Sequence, residues 1–141
     1  MPPPPFFEKG LRLNAAGYID VLSTVVKPWM DKIAHGRPYV FQQDGAPAHN
    51  AKMTQTWLSN NLPDFWGKDV WMPSSPDCNP LDYYVWGACE RSINRTPHSN
   101  LESLKAAIVT GFAELPKTKI TLACSRYRSR IQQVIDTNGG F

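Results

Sequence analysis

Proline is the residue that most restricts how this chain can fold. Thirteen of the 141 residues are proline, and four of them are consecutive at positions 2–5. Because proline has no backbone N–H donor and a fixed φ, it is found at helix starts, in turns and at strand ends. Residues 1–5 are therefore predicted to be a disordered leader, and the other prolines divide residues 6–141 into short elements.

Helical periodicity accounts for much of the chain between these prolines. Asn14 is a good N-cap, and the helix predicted after it kinks at Pro28 and ends at Gly36. One face of this helix carries the apolar residues Tyr18, Leu22, Val25 and Trp29. A second helix is predicted over residues 49–61.

Two short segments are predicted to be strands. They are Tyr39–Gln43, which Asp44 closes, and Asp69–Met72. After the second segment, Asn79 followed by a proline is typical of an N-cap and first helical residue. The helix that begins there is predicted to run to about Arg95.

The C-terminal third is predicted to be helical throughout. Ser99 and Glu102 have the spacing of a capping box. One last helix is predicted to carry Ile120, Cys124, Tyr127, Ile131 and Val134 on one face. The predicted fold class is therefore α/β, with helices dominant towards the C-terminus.

Composition indicates a globular chain without a membrane span. Hydrophobic residues make up 42% and charged residues 19% of the sequence. The net charge of +3 weakly favours anionic partners. Three cysteines without a CxxC pair favour neither a disulfide framework nor a structural zinc site.

Two acidic residues stand where carboxylates could do chemistry. Asp44 follows a predicted strand, and active sites of open α/β sheets lie at that end of the strands. Asp82 is the third residue of the helix capped by Asn79, where the helix dipole favours a carboxylate. Two such groups suit Mg²⁺ or Mn²⁺, which prefer oxygen ligands. Turn chemistry and dipole compensation are the alternative explanations, and the two positions alone favour these.

The sequence around the two aspartates resembles a known family. FQQDGAPAH at residues 41–49 resembles the "QDxAPxH" block of mariner-like transposases, members of the DDE/D superfamily. SPDCNPLDYYVWG at residues 75–87 resembles their "SPDLNPxDYxxWG" block. The blocks occur in the family's order, with 37 residues between Asp44 and Asp82.

The resemblance implies an RNase H-like fold, here truncated at the N-terminus with its first strands missing. It also implies three metal-binding carboxylates, of which Asp44 matches the second and Asp82 the third. Asp77 is a rival for the third role. The first carboxylate has no counterpart, because Glu8 and Asp20 do not lie where the family's first strand would place it.

The resemblance and the charge pattern add further candidates. His49 matches a family histidine that could contact the metal site's surroundings or DNA, with capping or packing as an equal alternative. Asn79 is predicted mainly to position Asp82, and like His49 it could also contact the metal site's surroundings or DNA. A basic set could contact DNA phosphates, although a solvated helix face explains each member as well: Lys117, Lys119, Arg126, Arg128 and Arg130.

The resemblance implies a nuclear DNA transposase that cuts transposon ends and joins them to target DNA with Mg²⁺ or Mn²⁺. The resemblance leaves open whether the chain forms a homodimer, and no membrane partner is expected. Without the first carboxylate, the chain alone is expected to be inactive, whether it comes from a truncated gene or a genuine short protein. The alternative is a domesticated, non-catalytic module that binds DNA or protein.

Overall fold

The computed structural model describes residues 4–8, 10–72 and 75–139. These group into two compact units, one within residues 4–73 (the N-terminal unit) and one within 74–141 (the C-terminal unit). The predicted disordered leader lies partly outside the described residues. Its last two residues, Pro4 and Pro5, belong to no helix or strand.

A long helical segment opens the N-terminal unit. It consists of helix α1 (Ala15–Val21), a π-helical stretch (Leu22–Val26) and helix α2 (Lys27–Ala34). The predicted cap is confirmed, since the Asn14 side chain accepts a hydrogen bond from the Gly17 N–H at 2.9 Å. The helix ends where His35 takes a left-handed φ of 48°.

The irregularity predicted at Pro28 takes the form of the π-helical stretch before it. Pro28 has no N–H to donate to the carbonyl four residues earlier. Immediately before it, the Lys27 N–H donates to the Leu22 carbonyl, five residues back. The wider turn thus accommodates the missing donor without ending the helix.

Two further helices complete the N-terminal unit. The single helix predicted over residues 49–61 is in fact two, α3 (Pro47–Asn50) and α4 (Lys52–Asn61), separated at Ala51 with ψ of 138°. The buried core is formed by Leu22, Leu58 and Leu62. Partly buried residues pack against it, namely Tyr18, Val26, Met30, Phe41, Trp57 and Phe65.

The predicted α/β, RNase H-like fold class is wrong for this structure. In the part of the chain that the structure describes, helices dominate and no strand forms. The only β-type pairing in that part is one isolated parallel bridge between Phe41 and Phe65. The Phe41 N–H donates to the Asp64 carbonyl at 3.0 Å, and the Trp66 N–H donates to the Phe41 carbonyl at 2.9 Å.

The two predicted strands fail for different physical reasons. Tyr39–Gln43 forms no strand, because a strand exists only through hydrogen bonds to a neighbour and pairing here stops at Phe41. Asp69–Met72 begins inside a turn, in which the Val70 N–H donates to the Gly67 carbonyl at 3.1 Å. The Gly-Lys-Asp turn sequence therefore outweighs the strand propensity of the valine and tryptophan that follow it.

The C-terminal unit is helical. Its elements are a 3₁₀ turn (Pro76–Cys78), a π-helical stretch (Leu81–Trp86) and helices α5 (Gly87–Ile93), α6 (Leu101–Ala113), α7 (Lys117–Ser125) and α8 (Tyr127–Asp136). The buried residues of this unit are Cys78, Val85, Cys89, Gly111 and Ala123. The three cysteines are free in this structure.

Two helix boundaries in this unit differ from prediction. The capping box is formed one residue later, with the Asn100 side chain accepting from the Ser103 N–H at 2.8 Å. The predicted last helix is two helices that meet at Arg126. Among the described residues, no helix is long and apolar enough to span a membrane.

Candidate active site

Asp44 lies in the loop that leads into α3, not at the end of a strand. Its Oδ1 accepts the Ala46 N–H at 3.1 Å, which closes a tight turn. The same oxygen lies 2.6 Å from His49 Nδ1. At that distance a hydrogen bond joins the two side chains, in which a carboxylate oxygen can only accept. The side chain of Asp44 is nevertheless 55% exposed, so its second oxygen is open to a ligand.

His49 is fixed from several sides. Its ring packs on the Tyr18 ring with centroids 4.2 Å apart. Its carbonyl accepts from Gln43 Nε2 at 3.1 Å and from Gln55 Nε2 at 2.9 Å. Gln43 in turn accepts the Tyr18 hydroxyl at 2.9 Å. Residues of α1, α3 and α4 thus combine to hold the histidine against Asp44.

Tyr18 is a partly buried member of this cluster. Burial raises the pKa of its hydroxyl far above the ordinary value, and the negative charge of Asp44 raises it further. The hydroxyl therefore stays neutral and remains a hydrogen-bond donor to Gln43. Tyr18 and Gln43 were not among the predicted site residues. Tyr18 was assigned only to an apolar helix face, and no sequence signal revealed that this face touches His49.

Asp82 occupies the helical position predicted for it. Asn79 caps the turn, since its Oδ1 accepts the Leu81 N–H at 3.1 Å and its carbonyl accepts the Asp82 N–H at 2.9 Å. The Asp82 side chain is exposed. It has no hydrogen-bond or ion-pair partner among the residues that the structure describes. Asn79 therefore positions Asp82, while the role of Asp82 itself stays a prediction.

Asp77, the rival, is tied into the fold of the C-terminal unit. Its main-chain carbonyl accepts Arg130 Nη1 at 2.8 Å. Its carboxylate lies 3.8 Å from the Cys78 sulfur, and burial together with that negative charge raises the pKa of the thiol. Of these contacts only the one with Cys78 uses the carboxylate, so Asp77 has a structural partner, and its ligand role stays an alternative prediction.

The five predicted basic residues do not act as one face. Lys119, Arg126 and Arg130 line a cleft of about 260 Å³ with Tyr83 and Tyr84. Arg128 lines a different cavity beside Ser125. Lys117 is exposed and borders neither. The two tyrosines stand inside the second motif immediately after Asp82, and nothing in that motif indicates that they line a cleft.

The donor chemistry suits Mg²⁺ or Mn²⁺, because both aspartates offer hard carboxylate oxygens. However, few potential metal ligands lie close together. Within residues 4–8, 10–72 and 75–139, no group of three histidine, cysteine, aspartate or glutamate residues could hold a metal ion. Asp44 and Asp82 each offer carboxylate oxygens of that kind, and a metal-binding role for either stays a prediction.

Comparisons with known proteins agree with the two motifs. The transposase of transposable element Tcb2 from Caenorhabditis briggsae is 30% identical over 122 residues, covering 86% of this chain and 43% of that protein. The Tc1 transposase from Caenorhabditis elegans is 29% identical over 125 residues, with the same coverage. The chain is a homologue of the Tc1/mariner transposases. It spans less than half the length of these curated relatives.

Solved structures match the backbone of this transposase homologue over most of its length. The Mos1 transposase catalytic domain with raltegravir and Mn gives a TM-score of 0.80 at 19% identity, over 94% of this chain and 66% of that one. The same domain with Mg gives 0.77. The Mos1 mariner paired end complex with Mn gives 0.80 and is covered to 38%. At this identity the likeness concerns the fold alone.

A search against models of protein families gave no match to this chain. The homology to the Tc1/mariner transposases is therefore shown by relatives that match most of this chain. It agrees with the two sequence blocks that carry Asp44 and Asp82.

Proposed function

We propose that this chain is part of the catalytic domain of a DNA transposase and supplies two of its metal-binding carboxylates, Asp44 and Asp82. The observation that carries the proposal is the homology to Tc1-type transposases together with the two family motifs. The reaction would be metal-dependent cleavage of DNA strands followed by strand transfer. Mg²⁺ or Mn²⁺ would supply Lewis-acid activation at the phosphodiester.

The chain's own residues would prepare these two carboxylates. The Ala46 N–H and His49 hold one oxygen of Asp44, which leaves the other free for an ion. Asn79 fixes the helical turn that presents Asp82. Such positioning matters because catalysis by bound ions depends on holding them in place against the substrate.

The partners of the proposed function are transposon-end and target DNA. A second copy of the chain is a further proposed partner, to be tested by sedimentation in the presence of DNA. The proposed location is the nucleus, where the substrate is. A fluorescent fusion that remains outside the nucleus in cells would contradict this location.

A chimaera tests the proposed activity directly. Residues 14–139 of this chain would replace the matching segment of the Tc1 transposase, and cleavage of transposon-end DNA would be measured with Mg²⁺ or Mn²⁺. We expect cleavage that Asp44→Asn and Asp82→Asn each abolish. Asp20→Asn, an exposed aspartate on α1, is the matched control and should leave cleavage intact.

The same chimaera decides between the two candidates for the third carboxylate. We expect Asp77→Asn to retain cleavage, because the main-chain carbonyl and not the carboxylate binds Arg130. Cleavage that survives Asp82→Asn and is lost in Asp77→Asn would contradict the assignment of Asp82.

A second candidate function is that of a non-catalytic DNA- or protein-binding module derived from a transposase. It is favoured by the contacts of Asp44, which closes a turn with Ala46 and binds His49, a structural role that needs no metal. Under this proposal the natural protein binds its partner in EDTA, and neither Asp44→Asn nor Asp82→Asn changes its function in cells. Loss of that function in either variant would exclude it.

A further inference from the structure

The C-terminal unit contains a cleft whose lining is cationic and aromatic. Its volume is about 260 Å³, and Lys119, Arg126 and Arg130 line it together with Tyr83 and Tyr84. The π-helical stretch that carries Asp82 also supplies the two tyrosines. Helices α7 and α8 and the residue that joins them supply the three cations.

The positive charge of this cleft is not balanced within the part of the chain that the structure describes. No carboxylate is among the residues that line it. The side chains of Lys119 and Arg126 are exposed and make no ion pair with any described acidic residue. Three cations close together repel one another, so binding of an anion there is favourable.

Arg130 is held in place before any ligand binds. Its guanidinium lies 4.1 Å from the centre of the Tyr83 ring, and its Nη1 donates to the Asp77 carbonyl at 2.8 Å. Tyr83 is itself anchored, since its hydroxyl donates to the Ala123 carbonyl at 2.6 Å. Both partners of Arg130 are neutral, so its charge and its other N–H groups remain for a ligand.

We propose that this cleft binds one phosphodiester group of the DNA backbone. Arginine and lysine side chains are the usual donors to DNA phosphates. The volume is below the range of about 300–1,000 Å³ typical of small-molecule pockets, so a single phosphate fits better than a whole nucleotide ligand. The choice of DNA as the source of the phosphodiester rests on the proposed function.

Salt-dependent DNA binding by the full chain tests the proposal. Affinity for a short duplex of mixed sequence would be measured in EDTA over a range of salt concentrations, so that no cleavage step is involved. Each phosphate contact contributes about 0.9 to the slope of log K against log salt. We expect Lys119→Ala and Arg126→Ala each to lower the slope by about that amount and to weaken binding at low salt about tenfold.

Two other arginines of the same unit serve as comparisons. Arg95→Ala removes an exposed charge outside the cleft and should change the slope little. Arg128→Ala removes a charge from the same helix as Arg130, but from a different cavity, and should also have a small effect. Circular dichroism would establish that every variant keeps the helical content of the parent chain.

The outcomes separate this proposal from the proposed function. Equal losses of DNA affinity in Arg126→Ala and Arg128→Ala would contradict phosphate binding in the cleft and would indicate a diffuse basic face instead. This result would not affect the role of the aspartates. Tighter binding of an acidic or phosphorylated peptide than of DNA, lost in Arg126→Ala, would overturn DNA as the ligand. The chimaera's cleavage activity tests the aspartates independently of either result.

Discussion

His49 has two kinds of contact that single substitutions can separate. Its ring packs on Tyr18, and its Nδ1 binds the half-exposed carboxylate of Asp44. An exposed ion pair contributes at most about 1 kcal/mol, whereas an aromatic pair adds about 0.5–1.5 kcal/mol beyond the burial of its surface. The packing contact should therefore stabilise the fold more, and the Asp44 contact should serve to orient that carboxylate.

We predict that His49→Ala lowers the free energy of unfolding by about 1–2 kcal/mol, while His49→Phe retains most of it. Phenylalanine keeps a ring against Tyr18 and loses the donor to Asp44. Urea unfolding of the two variants measures the difference, with Asp44→Asn as control. Equal losses in both variants would mean that the Asp44 contact, and not packing, stabilises this cluster.

Tyr18 makes the stability of the N-terminal unit sensitive to alkaline pH. Burial and the charge of Asp44 raise the pKa of its hydroxyl in the folded protein above the ordinary value near 10. The unfolded chain loses this proton near pH 10, and the folded chain holds it to higher pH. The contribution of the Tyr18 hydroxyl to the free energy of unfolding is therefore complete below pH 10. It is lost as pH rises from there towards the folded-state pKa.

We predict that Tyr18→Phe makes the unfolding free energy fall less steeply with pH above about 10. The difference in slope is at most about 1.4 kcal/mol per pH unit, the value for one proton. Burial also raises the pKa of Tyr39 and Tyr83, so a decline remains in the variant. Parallel pH profiles for variant and parent would show that Tyr18 ionises normally in the folded state.

At the scale of elements, local chemistry predicted helix starts well and strands badly. Asn14 and Asn79 cap helices because a side-chain oxygen needs only an N–H two or three residues away. A strand depends on a distant partner, and the pattern in Tyr39–Gln43 carries no information about one. The break at Ala51 also had no local signal, since alanine favours the helix that it interrupts here.

Amide hydrogen exchange should detect the isolated bridge between Phe41 and Phe65 in the N-terminal unit. Within Tyr39–Gln43 only the Phe41 N–H donates to another backbone group of the described residues. We predict slow exchange at Phe41 and at its partner Trp66, and fast exchange at Val40 and Gln42. Uniformly slow exchange across Tyr39–Gln43 in a dilute monomer would show that these residues form a complete strand.

At the scale of the molecule, the sequence motifs were more informative than the inferred fold class. The blocks around Asp44 and Asp82 carry the family's residue pattern, and comparison along the chain confirmed the family. The motif does not show how Asp44 is held in place. Its partner His49 packs on Tyr18, which lies 31 residues earlier in the chain and is brought close only by tertiary packing. The sequence likewise does not show that Lys119, Arg126 and Arg130 line one cleft, because this depends on where α7 ends and α8 begins.

We predict that the purified chain neither nicks nor joins DNA with Mg²⁺ or Mn²⁺, in an assay on supercoiled plasmid. Asp44 and Asp82 are two carboxylates, and no three-group metal cluster is found among the described residues. Bound ions would be under-coordinated and loosely placed, and loss of positioning removes much of the catalytic rate.

The chimaera with the Tc1 transposase is the positive control for this assay, because it restores the remainder of a relative's chain. Asp82→Ala in the isolated chain is the matched negative control. Robust metal-dependent cleavage by the isolated chain, abolished by Asp82→Ala, would contradict the prediction. It would mean that another residue of this chain completes the metal site, and Glu8 and Asp20 would be the first substitutions to make.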